Sequence, residues 1–99
     1  MLERIGSVND FRKGQGKVVS VKGQDVAVFN VDGRIFALNN TCPHRGGPLG
    51  EGELDGPVVT CPWHGWRFDV ETGVSPVVPT VSAKKYEVKI EGNDVFVEI

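Results

Sequence analysis

Two short clusters hold all of the cysteine and histidine in this chain of 99 residues. One cluster reads CPHRGG from Cys42, and the other reads CPWHGW from Cys61. Each offers one thiol and one imidazole, and the imidazoles belong to His44 and His64. A proline after each cysteine fixes φ, and the glycines beyond each histidine let the backbone bend closely around a bound group. The two loops therefore predict one metal site shared between them.

Short β-forming runs separated by turn residues make up most of the remaining sequence. In QDVAVFNVDGRIFALNN, the pair Asp32-Gly33 lies between two apolar runs. Both positions of such a turn favour positive φ, so this stretch predicts a hairpin. A second hairpin is predicted at the C-terminus, with a turn at 91–94. Its apolar residues fall on one face of each strand, namely Tyr86, Val88 and Ile90 in KKYEVKI, and Val95, Val97 and Ile99 in DVFVEI.

The rest of the pattern also favours strands over helices. Shorter strands are predicted near Val18, Val58 and Phe68, and only a short turn capped by Ser7 is expected to be helical. Thirteen glycines and six prolines exceed average usage and indicate many turns. We therefore expect a single all-β domain over residues 1–99, built as an antiparallel sandwich or small barrel.

The β pattern stops between Leu38 and Val58. The sequence NNTCPHRGGPLGEGELDGP is polar and carries five of the thirteen glycines. A structureless loop of this length in a compact domain is usually functional. The other cluster, CPWHGW, directly follows the strand predicted near Val58. Both clusters are therefore expected on loops at the ends of strands.

Charge and hydropathy exclude several classes of partner. The formal net charge is -2 and the pI is about 5.6, so the basic surface of a nucleic-acid-binding protein is not expected. No apolar run reaches the roughly 20 residues of a membrane span. The start, MLERIGSVND, lacks the apolar region of a signal peptide. These features predict a cytoplasmic protein, for which a structural disulfide would be unusual.

Three interpretations of the two clusters compete. Chance clustering is one, and a structural zinc site with two cysteine and two histidine ligands is another. Such zinc sites usually pair cysteine with cysteine and histidine with histidine at short spacing, whereas here each short pair is mixed. The third interpretation is a [2Fe–2S] cluster with both cysteines on one iron and both histidines on the other. Mixed pairs suit it, because each loop then reaches both irons.

The motif C-x-H, sixteen residues, then C-x-x-H is the Rieske signature. The stretch TCPHRGGPLGEGELDGPVVTCPWHGWRFD resembles the Rieske-type ferredoxins of bacterial ring-hydroxylating oxygenases, and it is also similar to the small subunits of NAD(P)H nitrite reductases. The resemblance implies an antiparallel β-sandwich with a small cluster-binding subdomain inserted at about 40–75. It also implies that Cys42 and Cys61 hold the inner iron, while His44 and His64 hold the outer iron through Nδ1.

The resemblance implies a carrier of single electrons that catalyses nothing by itself. The chain has no flavin or nicotinamide fingerprint, and its histidines are all used by the cluster, so the iron site of an oxygenase is not expected. The expected partners are a flavin-containing reductase and a terminal oxygenase. A bound subunit of a nitrite reductase or other larger reductase is the main alternative, and a redox or iron sensor is a third.

Four positions imply a low reduction potential. The high-potential Rieske proteins of respiratory complexes have two further cysteines that join the cluster loops by a disulfide, and a serine and a tyrosine that donate hydrogen bonds to sulfur. The matching residues here are Gly47, Trp63, Trp66 and Phe68, which carry neither a thiol nor a hydroxyl. A third loop covers the cluster in this family, and Pro76 and Pro79 lie where that loop is expected.

Overall fold

The computed structural model describes residues 1–43, 46–63 and 65–99. The predictions for His44 and His64 lie outside the described residues. The described part contains two 3₁₀ helices, Val8–Asp10 and Leu49–Glu51. It also contains ten strands: β1 (Leu2–Ser7), β2 (Gly16–Val21), β3 (Gln24–Val31), β4 (Arg34–Asn39), β5 (Glu53–Asp55), β6 (Val58–Thr60), β7 (Arg67–Asp69), β8 (Lys85–Tyr86), β9 (Val88–Glu91) and β10 (Asp94–Glu98).

The strands form three antiparallel sheets, which confirms the predicted all-β class. The largest has the order β2-β3-β4-β8, and the chain termini meet in a second sheet of order β1-β10-β9. A third sheet has the order β5-β6-β7 and, within the described part of the chain, shares no strand with the other two. Among the described residues, no helix is long and apolar enough to cross a membrane.

The hairpin between β3 and β4 forms as predicted. Asp32 and Gly33 have φ values of 52° and 91°, and Val31 pairs with Arg34 across the turn. Two consecutive positive φ values match the right-handed twist of the flanking strands, which is why Asp-Gly is favoured here. Ser7 also caps a 3₁₀ turn as expected, because its hydroxyl accepts the Asn9 N–H at 3.3 Å.

Strand β3 is buried on both faces and separates two cores. Its side chains alternate, so Val26 and Val28 pack in one core with the sheet that holds the chain termini. Ala27 and Phe29 point to the other side and pack with Leu38 and the two cysteines. The same core contains buried residues from the third sheet and its flanks, namely Leu49, Val59, Phe68 and Val70. One face of β3 therefore supports the candidate site.

Two stretches differ from the sequence-based expectation. The stretch between Leu38 and Val58 is not structureless, because it contains the 3₁₀ helix Leu49–Glu51 and strand β5. A strand of three residues is too short to show a period, and its pairing with β6 defines it. The predicted strand KKYEVKI is divided between two sheets, since Tyr86 pairs with Ala37 of β4 while β9 pairs with β10. Ile90 lies on the edge strand β9 and is 44% exposed.

Candidate metal centre

The described residues of the two sequence clusters share a closing hydrogen bond and a glycine with positive φ. In the first cluster loop, residues 42–47, the Cys42 N–H donates to the carbonyl of Gly47 at 2.9 Å. In the second cluster loop, residues 61–66, the Cys61 N–H donates to the carbonyl of Trp66 at 2.6 Å. The fifth position of each loop is a glycine with positive φ, 77° in one and 73° in the other. Each cysteine therefore begins a six-residue loop that a backbone hydrogen bond closes.

Asn40 anchors the first cluster loop to the large sheet. Its side chain is buried, and its Oδ1 accepts the Gly50 N–H at 2.8 Å. Its carbonyl accepts the Leu49 N–H at 2.8 Å, and its own N–H donates to the Asp25 carbonyl at 2.9 Å. Residues before and after the loop are thereby held together, so the position of Cys42 follows from that of β4. Nothing in the sequence pattern singled out Asn40 for this role.

A second hydrogen-bonded chain supports the same loop. Asn39 Oδ1 accepts the Thr41 N–H at 2.9 Å, and Asn39 Nδ2 donates to the Tyr86 hydroxyl oxygen at 3.1 Å. The Tyr86 hydroxyl in turn donates to Gln24 Oε1 at 2.8 Å. The residue before Cys42 is thus linked to three strands of the large sheet.

The second cluster loop joins two paired strands of the third sheet. Thr60 of β6 pairs with Arg67 of β7 immediately outside the loop. Trp66 stacks on the fully buried Phe68 with a centroid separation of 6.5 Å, so its ring contributes to packing. Trp63 differs, because its side chain is 51% exposed at the surface of the loop.

The two cysteines face each other in the core. Both are free thiols, and each is 1% exposed. Burial raises the pKa of the Cys61 thiol, the backbone N–H of Trp63 lowers it by hydrogen bonding to the thiolate, and the neighbouring Cys42 raises it. Binding of a metal by these cysteines would therefore release protons, because a cysteine binds metal as the thiolate.

The described residues fit a cluster of the predicted kind. A Cβ atom on Gly47 would lie 2.7 Å from Cys61 Sγ, so glycine keeps the space beside the thiols open. The described residues alone contain no group of three or more histidine, cysteine or acidic side chains that could hold a metal ion. The two thiols therefore need further ligands, and the sequence places one histidine in each cluster loop. Thiolate and imidazole ligands together suit an iron–sulfur centre.

A third loop, residues 74–82, lies beside the second cluster loop. Val74 and Ser82 bridge its ends, and the Ser75 hydroxyl accepts the N–H groups of Val77 and Val78 at 3.3 and 3.0 Å. Pro76 and Pro79, which were expected in a third loop, both lie in this segment. A groove of about 280 Å³ separates it from the second cluster loop, lined by Gly65, Trp66, Arg67, Ser75, Val77 and Val78.

Comparison with known proteins identifies the family. The model of the Rieske [2Fe-2S] domain matches residues 2–95, and the chain belongs to this family. Its relatives include the ferredoxin subunit of biphenyl dioxygenase from Pseudomonas sp. (strain KKS102), at 44% identity over 93% of this chain and 86% of the relative. The ferredoxin component of the naphthalene 1,2-dioxygenase system from Pseudomonas aeruginosa is 40% identical over 82% of this chain and 79% of the relative.

Solved structures agree with this assignment. The Sphingomonas yanoikuyae B1 ferredoxin superposes with a TM-score of 0.90 at 32% identity, covering 100% of this chain and 99% of that chain. A chain from the complex of reduced oxygenase and oxidized ferredoxin in carbazole 1,9a-dioxygenase gives a TM-score of 0.88 at 32% identity, covering 97% and 91%. The prediction of a Rieske-type [2Fe–2S] cluster is thereby confirmed, and the zinc interpretation is set aside.

Proposed function

We propose that the chain is the ferredoxin of a ring-hydroxylating oxygenase system, carrying single electrons from a flavin-containing reductase to the terminal oxygenase. In this proposal Cys42 and Cys61 hold one iron, and His44 and His64 hold the other. The observation that carries the proposal is the pair of buried thiols that face each other from two matching loops. The bound cluster supplies a one-electron redox couple, and the protein itself catalyses no reaction.

The charge of this ligand set explains why an electron enters at moderate cost. Two ferric irons and two sulfides give the oxidised core a double positive charge. Two thiolates and two neutral imidazoles therefore make the oxidised site neutral, whereas four thiolates would leave it doubly negative. Adding an electron to a neutral site is easier, so the potential lies above that of all-cysteine clusters. Burial of both cysteines in the core keeps water from the sulfur ligands.

The surface beside the cluster loops suits brief contact with a protein partner. Trp63 and Val77 are exposed apolar side chains, at 51% and 61%, on the second cluster loop and the neighbouring third loop. Exposed prolines lie in the same loops, including Pro62 and Pro76. Apolar, uncharged side chains of this kind occur at the centres of interfaces, where charged residues are depleted. We place the contact with both partners on this surface.

The relatives favour the ferredoxin over the alternatives. Those named above are ferredoxin components of biphenyl and naphthalene dioxygenase systems. No feature of the described structure favours the nitrite reductase subunit or the sensor. A cytoplasmic location is part of the proposal, because a nicotinamide-linked flavin reductase works there, and cell fractionation tests it.

Reconstitution tests the proposal directly. The purified chain is expected to contain about two irons and two acid-labile sulfides and to give a rhombic EPR signal when reduced. Mixed with a flavin reductase, NADH and a terminal oxygenase from the same host, it should support product formation that stops when the chain is omitted. Cys61→Ser is the matched control and should carry no cluster. Zinc in place of iron would contradict the iron–sulfur cluster, and turnover without the chain would contradict the carrier role.

A further inference from the structure

The two cluster loops come so close together at Gly47 that no side chain fits there. A Cβ atom at this position would lie 2.7 Å from Cys61 Sγ and 3.0 Å from both Cβ and Cγ of Trp63. Real Cβ atoms essentially never come closer than 3.0 Å to another heavy atom. Even the two Cβ atoms of a disulfide are about 3.5–4.5 Å apart. The loops are therefore packed more tightly here than a covalent bridge would require.

Space, and not backbone conformation, explains the glycine at position 47. Its φ lies outside the positive range, unlike that of Gly46 and Gly65. Gly47 is buried, and its carbonyl accepts the N–H of Cys42 at 2.9 Å. Any displacement of Gly47 therefore moves Cys42 as well. The close contact at Gly47 therefore affects the backbone that positions Cys42.

The other side of the contact is equally close to the second cysteine. Trp63 is two residues after Cys61, and its backbone N–H hydrogen-bonds to the Cys61 sulfur. Its indole is half exposed, so the core does not hold the ring in place. The base of the side chain, Cβ and Cγ, instead rests against Gly47. Trp63 is thereby restrained at its base, while the far end of the ring remains in solvent.

We propose that Gly47 and Trp63 form a non-covalent clasp that sets the separation of the two cluster loops, which makes Trp63 a positioning residue of the metal centre. The proposal rests on the cluster site described above. Without the indole, the second cluster loop no longer packs firmly against Gly47. The Trp63 backbone N–H is then less well aligned with the Cys61 sulfur. Donors to sulfur favour the reduced state, so loosening the clasp lowers the reduction potential.

The test compares cluster loss and potential in Trp63→Ala, Trp63→Phe and wild type. Outer contacts of a metal site typically change its affinity by about 10–100-fold, so Trp63→Ala should lose its cluster to a chelator about tenfold faster. Its potential should also fall. Trp63→Phe keeps Cβ and an aromatic ring at Cγ and should match the wild type in both respects. Ile90→Ala, a change at an exposed apolar side chain on the edge strand β9, is the control and should change neither quantity.

A double-mutant cycle shows whether the two residues act together. Gly47→Ala alone should speed cluster loss, and its effect should not add to that of Trp63→Ala, because both disturb one contact. Gly6→Ala crowds Asp10 and Phe11 instead, in the core that does not contain the cysteines, and its effect should add to that of Trp63→Ala. Cluster loss and potential in Trp63→Ala that match the wild type would overturn the proposal, as would additive effects of Gly47→Ala and Trp63→Ala. If Gly47→Ala does not fold, the Trp63 series alone decides.

These readouts do not depend on a partner protein. A wild-type chain that carries no cluster would contradict the proposed ligand site, not the clasp. A wild-type cluster with unaffected loss rates in the Trp63 variants would contradict only the clasp.

Discussion

The thiol of Cys61 is buried, although it must lose its proton to bind the cluster as we propose. Because burial raises its pKa, the folded cluster-free chain binds this proton more tightly than the unfolded chain does. The stabilising effect is complete below the unfolded pKa of about 8.5 and is lost as pH rises through the folded pKa. The cluster-free protein should therefore lose stability in the alkaline range.

Denaturant unfolding of the cluster-free chain between about pH 7 and pH 10 measures this loss. The free energy of unfolding should decline above about pH 8.5, and the decline should be weaker in Cys61→Ser, which has no thiol there. An identical decline in both proteins would mean that other groups cause it.

The residues around the sulfur ligands predict a low reduction potential. Phe68 is fully buried and Trp66 stacks on it, and neither side chain carries a hydroxyl. A hydrogen bond to a charged group contributes roughly 1.5–3 kcal/mol. Without the two hydroxyl donors, the potential is expected to lie about 100–250 mV below that of a protein that has both.

We therefore expect a midpoint potential near the low end of the Rieske range, roughly −150 mV. Direct voltammetry of the purified protein at neutral pH measures it. A midpoint above about +100 mV would contradict both this argument and reduction by a nicotinamide-linked flavin reductase.

At the scale of elements, the connection from β4 to the 3₁₀ helix Leu49–Glu51 depends on one side chain. Asn40→Ala would leave the buried Gly50 N–H without its acceptor, which costs about 1–3 kcal/mol of the free energy of unfolding. Asn39→Ala is the matched control, because the Thr41 N–H that it frees belongs to an exposed residue and regains a partner in water. The Tyr86 hydroxyl loses the Asn39 donor but keeps its hydrogen bond to Gln24 Oε1. Urea denaturation of both variants gives the comparison. Equal losses would show that Asn40 is not a specific anchor.

The elements also show which parts of the fold were predictable. Asp32-Gly33 identified its hairpin, because a two-residue turn with two positive φ values leaves a local signal. Strands β1 and β5 left none, since β1 contains a register shift between Arg4 and Gly6, and β5 has only three residues. Their existence depends on pairing with distant strands, which a local pattern does not contain.

The candidate site also has features that the sequence predicted and features that it did not. The spacing of Cys42 and Cys61 with the two histidines indicated the metal site, and the structure brings both thiols together in one core. The four-residue ligand set stays a prediction. The role of Gly47 was not predictable, because the clash that a side chain would make there involves a residue sixteen positions away. Asn40 was missed for a similar reason, since its partner is ten residues distant.

At the scale of the whole molecule, the two faces of the large sheet pack against different parts of the chain. The sheet that joins the chain termini packs on the Val26 and Val28 side, and the cluster loops lie on the Ala27 and Phe29 side. This separation allows a test of the partner surface. Val77→Asp introduces a charge beside the second cluster loop, and Ile90→Asp introduces the same charge on β9.

Val77→Asp should slow electron transfer to the oxygenase several-fold, because a charge at the centre of an apolar contact is desolvated without a partner. Ile90→Asp should leave the rate unchanged. Stopped-flow oxidation of the reduced protein by the oxygenase measures both, and cluster content confirms that each variant is intact. A larger effect from Ile90→Asp would move the partner surface to the other side of the molecule.

The third sheet has strands of only three residues, so it lacks the size to persist by itself. We expect its order to come from the shared core and from the cluster that we propose its loop helps to hold. Amide hydrogens of β3, which both cores enclose, should exchange with deuterium only when the entire chain opens. Those of β6 and β7 should exchange through a smaller opening once iron is removed. Loss of the cluster would then unfold the third sheet and leave the large sheet intact. Proteases would therefore cut the third sheet in the cluster-free protein but not in the protein that holds its cluster.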